Sequence, residues 1–163
     1  MPPQSGRERP ETPPGLHRFN TAPAEDAEAA LLACCGSRRW AGRIAAHRPY
    51  PDPAALLAAA DEASYDLGLA DLAEAFADET STALHPSAPQ AAQTALRAAH
   101  DQYERNFRRA FVISLDHLPP HRHVDQVLSA IHTRMGNDPD EEHAVSADEL
   151  RRLARSRLAR LVA

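Results

Sequence analysis

The helix pattern near the C-terminus decides the fold class, and residues 138–161 read DPDEEHAVSADELRRLARSRLARL. Asp138 followed by Pro139 is a helix-start signal, because aspartate caps free N–H groups and proline fits the first helical turn. Apolar residues then recur at helical spacing and form one stripe, namely Leu150, Leu153, Ala154, Leu158 and Leu161. The pattern predicts a final helix, or helix pair, that packs one face against a core.

Arg157 lies in the middle of that stripe, seven residues after Leu150. A guanidinium aimed at a core must meet an anion or several carbonyl oxygens, because a buried unpaired charge is costly. A carboxylate substrate is one such anion. The structural alternatives are an internal aspartate or glutamate, or a side chain that reaches back to solvent.

Shorter helical patterns fill the rest of the chain. Alanine is frequent, only 6 glycines occur and aromatic residues make up 5% of the sequence, so strands are poorly supported and a helical bundle is favoured. Start signals precede several of these helices: Ser37, the Asp52-Pro53 pair, and Ser87 with Gln90 at capping-box spacing. We expect helices at residues 24–35, 37–47, 53–65, 69–78, 89–108 and 124–135, with an extended segment at 110–115.

The domain organisation follows from length and composition. A chain of 163 residues fits one domain with a real core. Residues 1–18 are rich in proline and polar side chains, which predicts a disordered tail. Residues 19–163 are predicted to form a single all-α domain, a bundle of about seven helices.

Charge and cysteine usage exclude several classes of protein. A formal charge of −5 gives no basic excess for phosphate contacts, so we expect no nucleic-acid partner. No apolar run reaches the roughly 18 residues of a membrane span, and the N-terminus lacks the apolar part of a secretory signal. Cys34 and Cys35 are adjacent and cannot form a helical disulfide. They are expected to act as small buried apolar residues in a cytoplasmic protein.

Two groups of histidines are candidates for chemistry. His85 precedes Pro86 on a loop between helices, where proline stiffens the backbone and the imidazole can transfer protons near neutral pH. The alternative is a histidine without a chemical role. His117, His121 and His123 have a spacing that can bind a metal if the loop folds back, but Pro119-Pro120 interrupts them and no acidic or cysteine partner stands at useful spacing. A solvated loop is the favoured interpretation, and no metal is predicted.

A series of short motifs resembles the ureidoimidazoline decarboxylases, the OHCU decarboxylase family, from about residue 19 to residue 161. The strongest piece is the cysteine pair that leads into Ser37 and Trp40. The others, in order, are Phe19-Asn20, Arg48-Pro49-Tyr50, Ala75-Phe76, His85-Pro86, Tyr103 to Phe107, Phe111-Val112-Ile113, Arg134 to Asn137, and Arg157-Leu158.

The resemblance implies an all-α homodimer without metal or organic cofactor. It implies decarboxylation of 2-oxo-4-hydroxy-4-carboxy-5-ureidoimidazoline to (S)-allantoin, the last step from urate. His85 would then be the catalytic acid/base group, and Pro86 would shape its loop. The backbone of Phe111, Val112 and Ile113 would bind the ureido arm, and Arg157 would meet a substrate anion or carbonyl oxygen.

The sequence departs from the family around His85. The family reads His-Pro-Arg-Ile-Gly, whereas this chain reads His-Pro-Ser-Ala-Pro at residues 85–89. A stretch that carries a catalytic glutamate and a glutamine is shortened, and no acidic residue stands between Pro86 and His100. Gln90 is assigned as the remnant of the Glu-Gln pair and as a substrate-binding residue. His100 stands where the family has asparagine, and Arg108 where it has glycine.

Four interpretations stay open at this point. The chain is a weak decarboxylase in which His100 or Gln90 compensates for the lost acid. It is a paralogue retooled for another small carboxylated or ureido ligand. It is a non-catalytic relative that binds a protein partner. The fourth is an unrelated helical interaction domain. The departures lie near the expected pocket, while the motifs of the scaffold are kept, which favours the first three.

Overall fold

The computed structural model describes residues 11–163, and this part of the chain is built from eight α-helices. The helices are α1 (Pro14–Thr21), α2 (Ala24–Cys34), α3 (Arg38–Ala46), α4 (Pro53–Tyr65), α5 (Leu69–Ala77), α6 (Gln90–Phe107), α7 (His123–Met135) and α8 (Pro139–Leu161). A single 3-10 turn at Pro120–Arg122 precedes α7, and residues 11–163 contain no strand. The all-α prediction is confirmed.

The predicted boundary at residue 18 between the tail and the helical domain is wrong. Residues 14–18 lie in α1, in which Leu16 and Phe19 are buried. The Gly15 N–H donates to the Ala163 carbonyl at 3.1 Å, so α1 packs on the end of α8. Proline at the first position favours this helix. The burial of Leu16 and Phe19 stabilises it, although the polar composition of residues 1–18 suggested disorder. The predicted tail at residues 1–10 lies outside the described residues.

Local capping signals set most helix starts as expected. The Ser37 hydroxyl accepts from the Trp40 N–H at 3.2 Å, and Asp52 Oδ1 accepts from the Ala55 N–H at 2.8 Å. Asp138 forms a capping box with Glu141, and the helix that follows is continuous to Leu161. The capping box expected between Ser87 and Gln90 is wrong, because Pro89 caps α6 without a side-chain hydrogen bond.

Two apolar clusters form the core. The larger joins α1 to α5 with α8, and its fully buried Trp40 donates from the indole Nε1 to the Ala60 carbonyl at 3.2 Å and the Ser64 hydroxyl at 3.0 Å. The smaller joins α6 and α7 with Phe111 and Ile113. Cys34 and Cys35 are buried in the larger cluster and form no disulfide, as predicted. Burial raises the pKa of Cys35 to about 11, so this thiol is protonated at neutral pH.

A buried polar network connects α6, α7 and α8 behind the second cluster. Arg134 forms an ion pair with the fully buried Glu142 at 2.6 Å and donates to the Val112 carbonyl at 2.7 Å. The Tyr103 hydroxyl donates to the same carboxylate at 2.5 Å, and the Ser146 hydroxyl donates to it at 3.2 Å. These contacts fix the extended segment at residues 110–115 between the helices. Within residues 11–163, no helix is both long and apolar enough to cross a membrane.

Candidate functional site

Arg157 meets an internal anion. Its guanidinium donates to both carboxylate oxygens of Glu79, with Nη1–Oε1 at 2.6 Å and Nη2–Oε2 at 3.0 Å, and Nη1 also donates to the Cys34 carbonyl at 3.1 Å. The hydrogen bonds that Arg157 donates to Glu79 raise the pKa of Arg157, so the guanidinium keeps its positive charge. The side chains remain 30% and 9% exposed, and the pair therefore borders solvent.

Glu79 is the site residue that sequence reasoning missed. It stands two residues after the end of α5, in a stretch that looked irregular, and 78 positions separate it from Arg157. The resemblance to the family places the acidic residue after His85, whereas the acidic group that reaches Arg157 comes before it. The available signal was the Asp78-Glu79 pair directly after an apolar helix.

A close backbone approach sets the position of Glu79. Gly36 lies between α2 and α3, and a Cβ built on it would stand 2.6 Å from the Cβ of Asp78 and 2.7 Å from its carboxylate oxygen. Two non-bonded carbon atoms do not approach so closely in proteins. Only glycine therefore lets the α2–α3 turn lie against the end of α5. The turn thereby brings the Cys34 carbonyl and Glu79 to the same guanidinium.

The backbone of residues 111–113 is largely occupied by internal hydrogen bonds. The Phe111 N–H donates to the Ser81 hydroxyl at 2.9 Å, and the Phe111 carbonyl accepts from the Thr82 N–H at 2.8 Å. The Ile113 N–H donates to the Thr82 hydroxyl at 3.3 Å, and Arg134 holds the Val112 carbonyl. Four of the six backbone polar groups therefore have protein partners. The segment is pinned to residues 81–82, which follow Glu79 directly.

His85, Pro86 and Gln90 all lie exposed between α5 and the start of α6. The Ser87 N–H donates to His85 Nδ1 at 3.1 Å, and the Ser87 hydroxyl lies 2.7 Å from the same nitrogen. Because Nδ1 accepts the backbone bond, the neutral ring carries its proton on Nε2. Arg157 contacts Glu79 and Cys34, whereas His85 contacts Ser87. In residues 11–163, no hydrogen bond joins Arg157 to His85.

His100 is half-buried on α6, and its ring centroid lies 6.0 Å from that of Phe111. Its Nε2 is buried without a hydrogen-bond partner in residues 11–163. Burial lowers the pKa of His100, against the opposing effect of Glu104 and Asp101. The ring is therefore neutral at pH 7 and belongs to the packing around Phe111.

A cleft of about 590 Å³ opens beside Glu79, between the ends of α5 and α6 and the start of α8. Phe76, Phe107 and Leu69 give it apolar walls, while Arg109 and His143 contribute polar groups. Its size and mixed lining are those of a small-molecule site. The cleft is lined by Leu69, Ala73, Phe76, Ala77, Glu79, Glu104, Phe107, Arg108, Arg109, Ala110 and His143.

The predicted solvated loop at residues 117–123 has no metal-binding geometry. In the described part of the chain, no three histidine, cysteine, aspartate or glutamate side chains come together as a metal would require. His123 Nε2 lies 3.0 Å from the Leu118 carbonyl, and His117 and His121 are exposed.

Comparison with known proteins places the chain in one family. The family model for OHCU decarboxylase matches residues 20–159. A crystal structure of OHCU decarboxylase in the presence of (S)-allantoin is similar, with a TM-score of 0.70 and 21% identity over 80% of this chain and 95% of that chain. A crystal structure of (S)-allantoin synthase has a TM-score of 0.67 and 16% identity over 90% of this chain.

This chain spans about half of that second protein, since 53% of it is covered. No curated protein sequence matches the chain. The structural similarities concern the fold, whereas the family model covers nearly the whole described sequence. The chain therefore belongs to the OHCU decarboxylase family.

Proposed function

We propose that this protein is a carboxy-lyase that converts 2-oxo-4-hydroxy-4-carboxy-5-ureidoimidazoline to (S)-allantoin and carbon dioxide. Membership of the OHCU decarboxylase family supports the reaction class. The observation that carries the proposal is the Arg157–Glu79 pair at the edge of the cleft, because it supplies a fixed cation and an acidic group beside a space for a small ligand. Glu79 is proposed to replace the acidic residue that the family carries after His85, in the stretch that is shortened in this sequence.

The chemistry requires the protein to orient one carboxylate and to deliver one proton. The carbon–carboxylate bond breaks, carbon dioxide leaves, and the electron pair is delocalised over the ring. The hydroxyl-bearing carbon becomes the carbonyl carbon of allantoin, and a proton arrives from one face at the neighbouring carbon that carries the ureido group. Arg157 orients the substrate through an anionic or carbonyl oxygen, and Glu79 fixes the guanidinium. Fixed charges of this kind act strongly at a site that is partly shielded from water.

His85 is the proposed proton donor, with Pro86 and Gln90 as neighbouring binding residues. Because Ser87 engages Nδ1, the proton available for transfer lies on Nε2. The two remaining backbone polar groups of residues 111–113, the Val112 N–H and the Ile113 carbonyl, are proposed to bind the ureido arm. By the same family resemblance, we propose that the protein acts as a homodimer in the cytoplasm, without a metal or organic cofactor.

A coupled assay tests the activity. Urate, uricase and hydroxyisourate hydrolase generate the substrate in place, and circular dichroism follows the chirality of the allantoin formed. We expect rapid (S)-allantoin from the wild type and a roughly 10²–10⁴-fold slower reaction from His85→Ala, the usual cost of a lost acid/base group. His121→Ala is the matched control, because His121 is also exposed and adjacent to a proline.

Slow racemic product that is unaffected by the protein would refute the proposed activity. Undiminished formation of (S)-allantoin by His85→Ala would keep the activity and remove His85 from it. Equal losses in His85→Ala and His121→Ala would point to a general effect on the protein.

A retooled paralogue is the second candidate, and one observation favours it. Glu79 already engages the Arg157 guanidinium with two hydrogen bonds, so a substrate anion must share or displace that carboxylate. In that case the same cleft takes another small carboxylated or ureido ligand. A wild type that forms only racemic allantoin, together with a ligand-dependent rise in Tm that Glu79→Gln alters, would support this function.

A further inference from the structure

Arg109 is a cation without a counter-ion at the cleft wall. Its Nη1 is buried and has no hydrogen-bond partner in residues 11–163, and its guanidinium carbon lies 5.4 Å above the centre of the Phe76 ring. An aromatic face compensates a cation only in part. A partly desolvated guanidinium in this state gains strongly from an anion that enters the cleft.

The carboxylates at the cleft do not neutralise Arg109. Glu79 is held by Arg157 through two hydrogen bonds, and Glu104 accepts from the Ser81 hydroxyl at 2.6 Å. Arg108, which also lines the cleft, adds a second positive charge. With Glu79 balanced by Arg157, the cleft retains the two positive charges of Arg108 and Arg109 against the one formal negative charge of Glu104. This balance favours an anionic ligand over a neutral or cationic one.

His143 provides a second polar group in the cleft. Its ring centroid lies 6.1 Å from that of Phe76, at an interplanar angle of 74°. The charged groups that act on it are Arg109, from the segment after α6, and Asp140, from its own helix. Burial lowers the pKa of His143, and Arg109 lowers it further, so the imidazole is neutral at pH 7 and can donate one N–H to a ligand.

We propose that Arg109 and His143 form a carboxylate-binding subsite that grips planar heterocyclic acids, with Phe76 and Phe107 against the ring. The apolar walls match a flat ligand body, and the unpaired guanidinium matches its charge. The inference rests on the proposed function only for the choice of substrate class. Binding of the anion itself does not depend on decarboxylation.

Direct binding separates this inference from the proposed activity. The probe is imidazole-4-carboxylate, and imidazole-4-carboxamide is its uncharged control of nearly equal shape. Calorimetry on the wild type is expected to give at least tenfold tighter binding of the carboxylate. Arg109→Gln is expected to weaken carboxylate binding at least tenfold and His143→Gln about threefold, with little effect on the carboxamide. Arg105→Gln removes an exposed arginine of the same helix end and is expected to change neither.

NMR of the imidazole ring provides a readout that a purely structural role would not move. A bound carboxylate should raise the pKa of His143 in the wild type, because the anion offsets Arg109, and should do so much less in Arg109→Gln. Equal affinity for carboxylate and carboxamide would overturn the inference, as would unchanged carboxylate binding in Arg109→Gln. Preferential carboxylate binding without any formation of (S)-allantoin would keep the subsite and refute only the proposed function.

Discussion

Two of the arginine–glutamate pairs, Arg134–Glu142 and Arg157–Glu79, differ in how completely the fold surrounds them. Arg134 and Glu142 are 7% and 0% exposed, and a tyrosine, a serine and a backbone carbonyl complete their hydrogen bonds. Arg157 and Glu79 are 30% and 9% exposed, and the glutamate borders a cleft. The first pair has no room for a ligand, while the second has an open side. Burial and partner count thus distinguish a scaffold pair from a pair that can serve a site.

Breaking the enclosed pair should have the largest effect. Glu142→Gln leaves the Arg134 guanidinium buried without a counter-ion, and we expect a loss of about 3–5 kcal/mol in the free energy of unfolding. Urea denaturation at pH 7 measures it. Arg160→Gln, which removes an exposed partner of Asp116, is the control and should cost less than about 1 kcal/mol. If Glu142→Gln lowered the free energy of unfolding as little as Arg160→Gln does, the other hydrogen bonds of Arg134 would be enough to stabilise its buried charge.

Breaking the open pair should have a smaller effect on stability. In Glu79→Gln, Arg157 keeps the Cys34 carbonyl and gains access to water, so we expect a loss of about 1–2 kcal/mol, between those of a surface pair and an enclosed pair. The same denaturation experiment gives the comparison. If Glu79→Gln costs as much as Glu142→Gln, the second pair belongs to the scaffold and the contrast between the two is lost.

The smallest expected effect is a pH dependence from His100. Because burial lowers its pKa in the folded protein, the unfolded chain takes up the proton first as the pH falls through the ordinary value near 6.5. Stability from this group is complete above that pH and declines towards the lowered pKa. The ring is only half-buried, so the change from pH 7.5 to 5.5 should stay below about 1 kcal/mol.

Urea denaturation at the two pH values measures this slope. His100→Gln should lose less stability than the wild type over the same interval, and His47→Gln, at an exposed position, should follow the wild type. A His100→Gln slope equal to that of the wild type would assign the pH dependence to other groups, of which His143 is one with a lowered pKa.

Signals within a few residues of one another were predicted correctly from sequence. The caps at Ser37, Asp52 and Asp138 act on N–H groups three residues ahead, so a short window contains all of the relevant chemistry. Ser87 failed as a cap for an equally local reason, because its hydroxyl and N–H both engage His85. The all-α fold followed from the same helical patterns.

The candidate site was less predictable, because its groups meet only in the folded chain. The stripe of α8 correctly predicted that Arg157 requires an anion, but no local pattern identifies Glu79 as that anion across 78 positions. Arg109 follows the end of α6, and no sequence pattern singles it out. Its significance comes from the ring of Phe76 and from carboxylates that are already engaged elsewhere, which are tertiary facts.

The contact at Gly36 makes the site sensitive to a single carbon atom on a remote turn. A methyl group there would press on the Cβ of Asp78 and force the end of α5, together with Glu79, to shift away from the α2–α3 turn. A larger residue at position 36 would therefore disturb both the Arg157–Glu79 pair and the cleft wall formed by the end of α5. A residue that lines no part of the cleft thus sets the position of an acidic group on its wall.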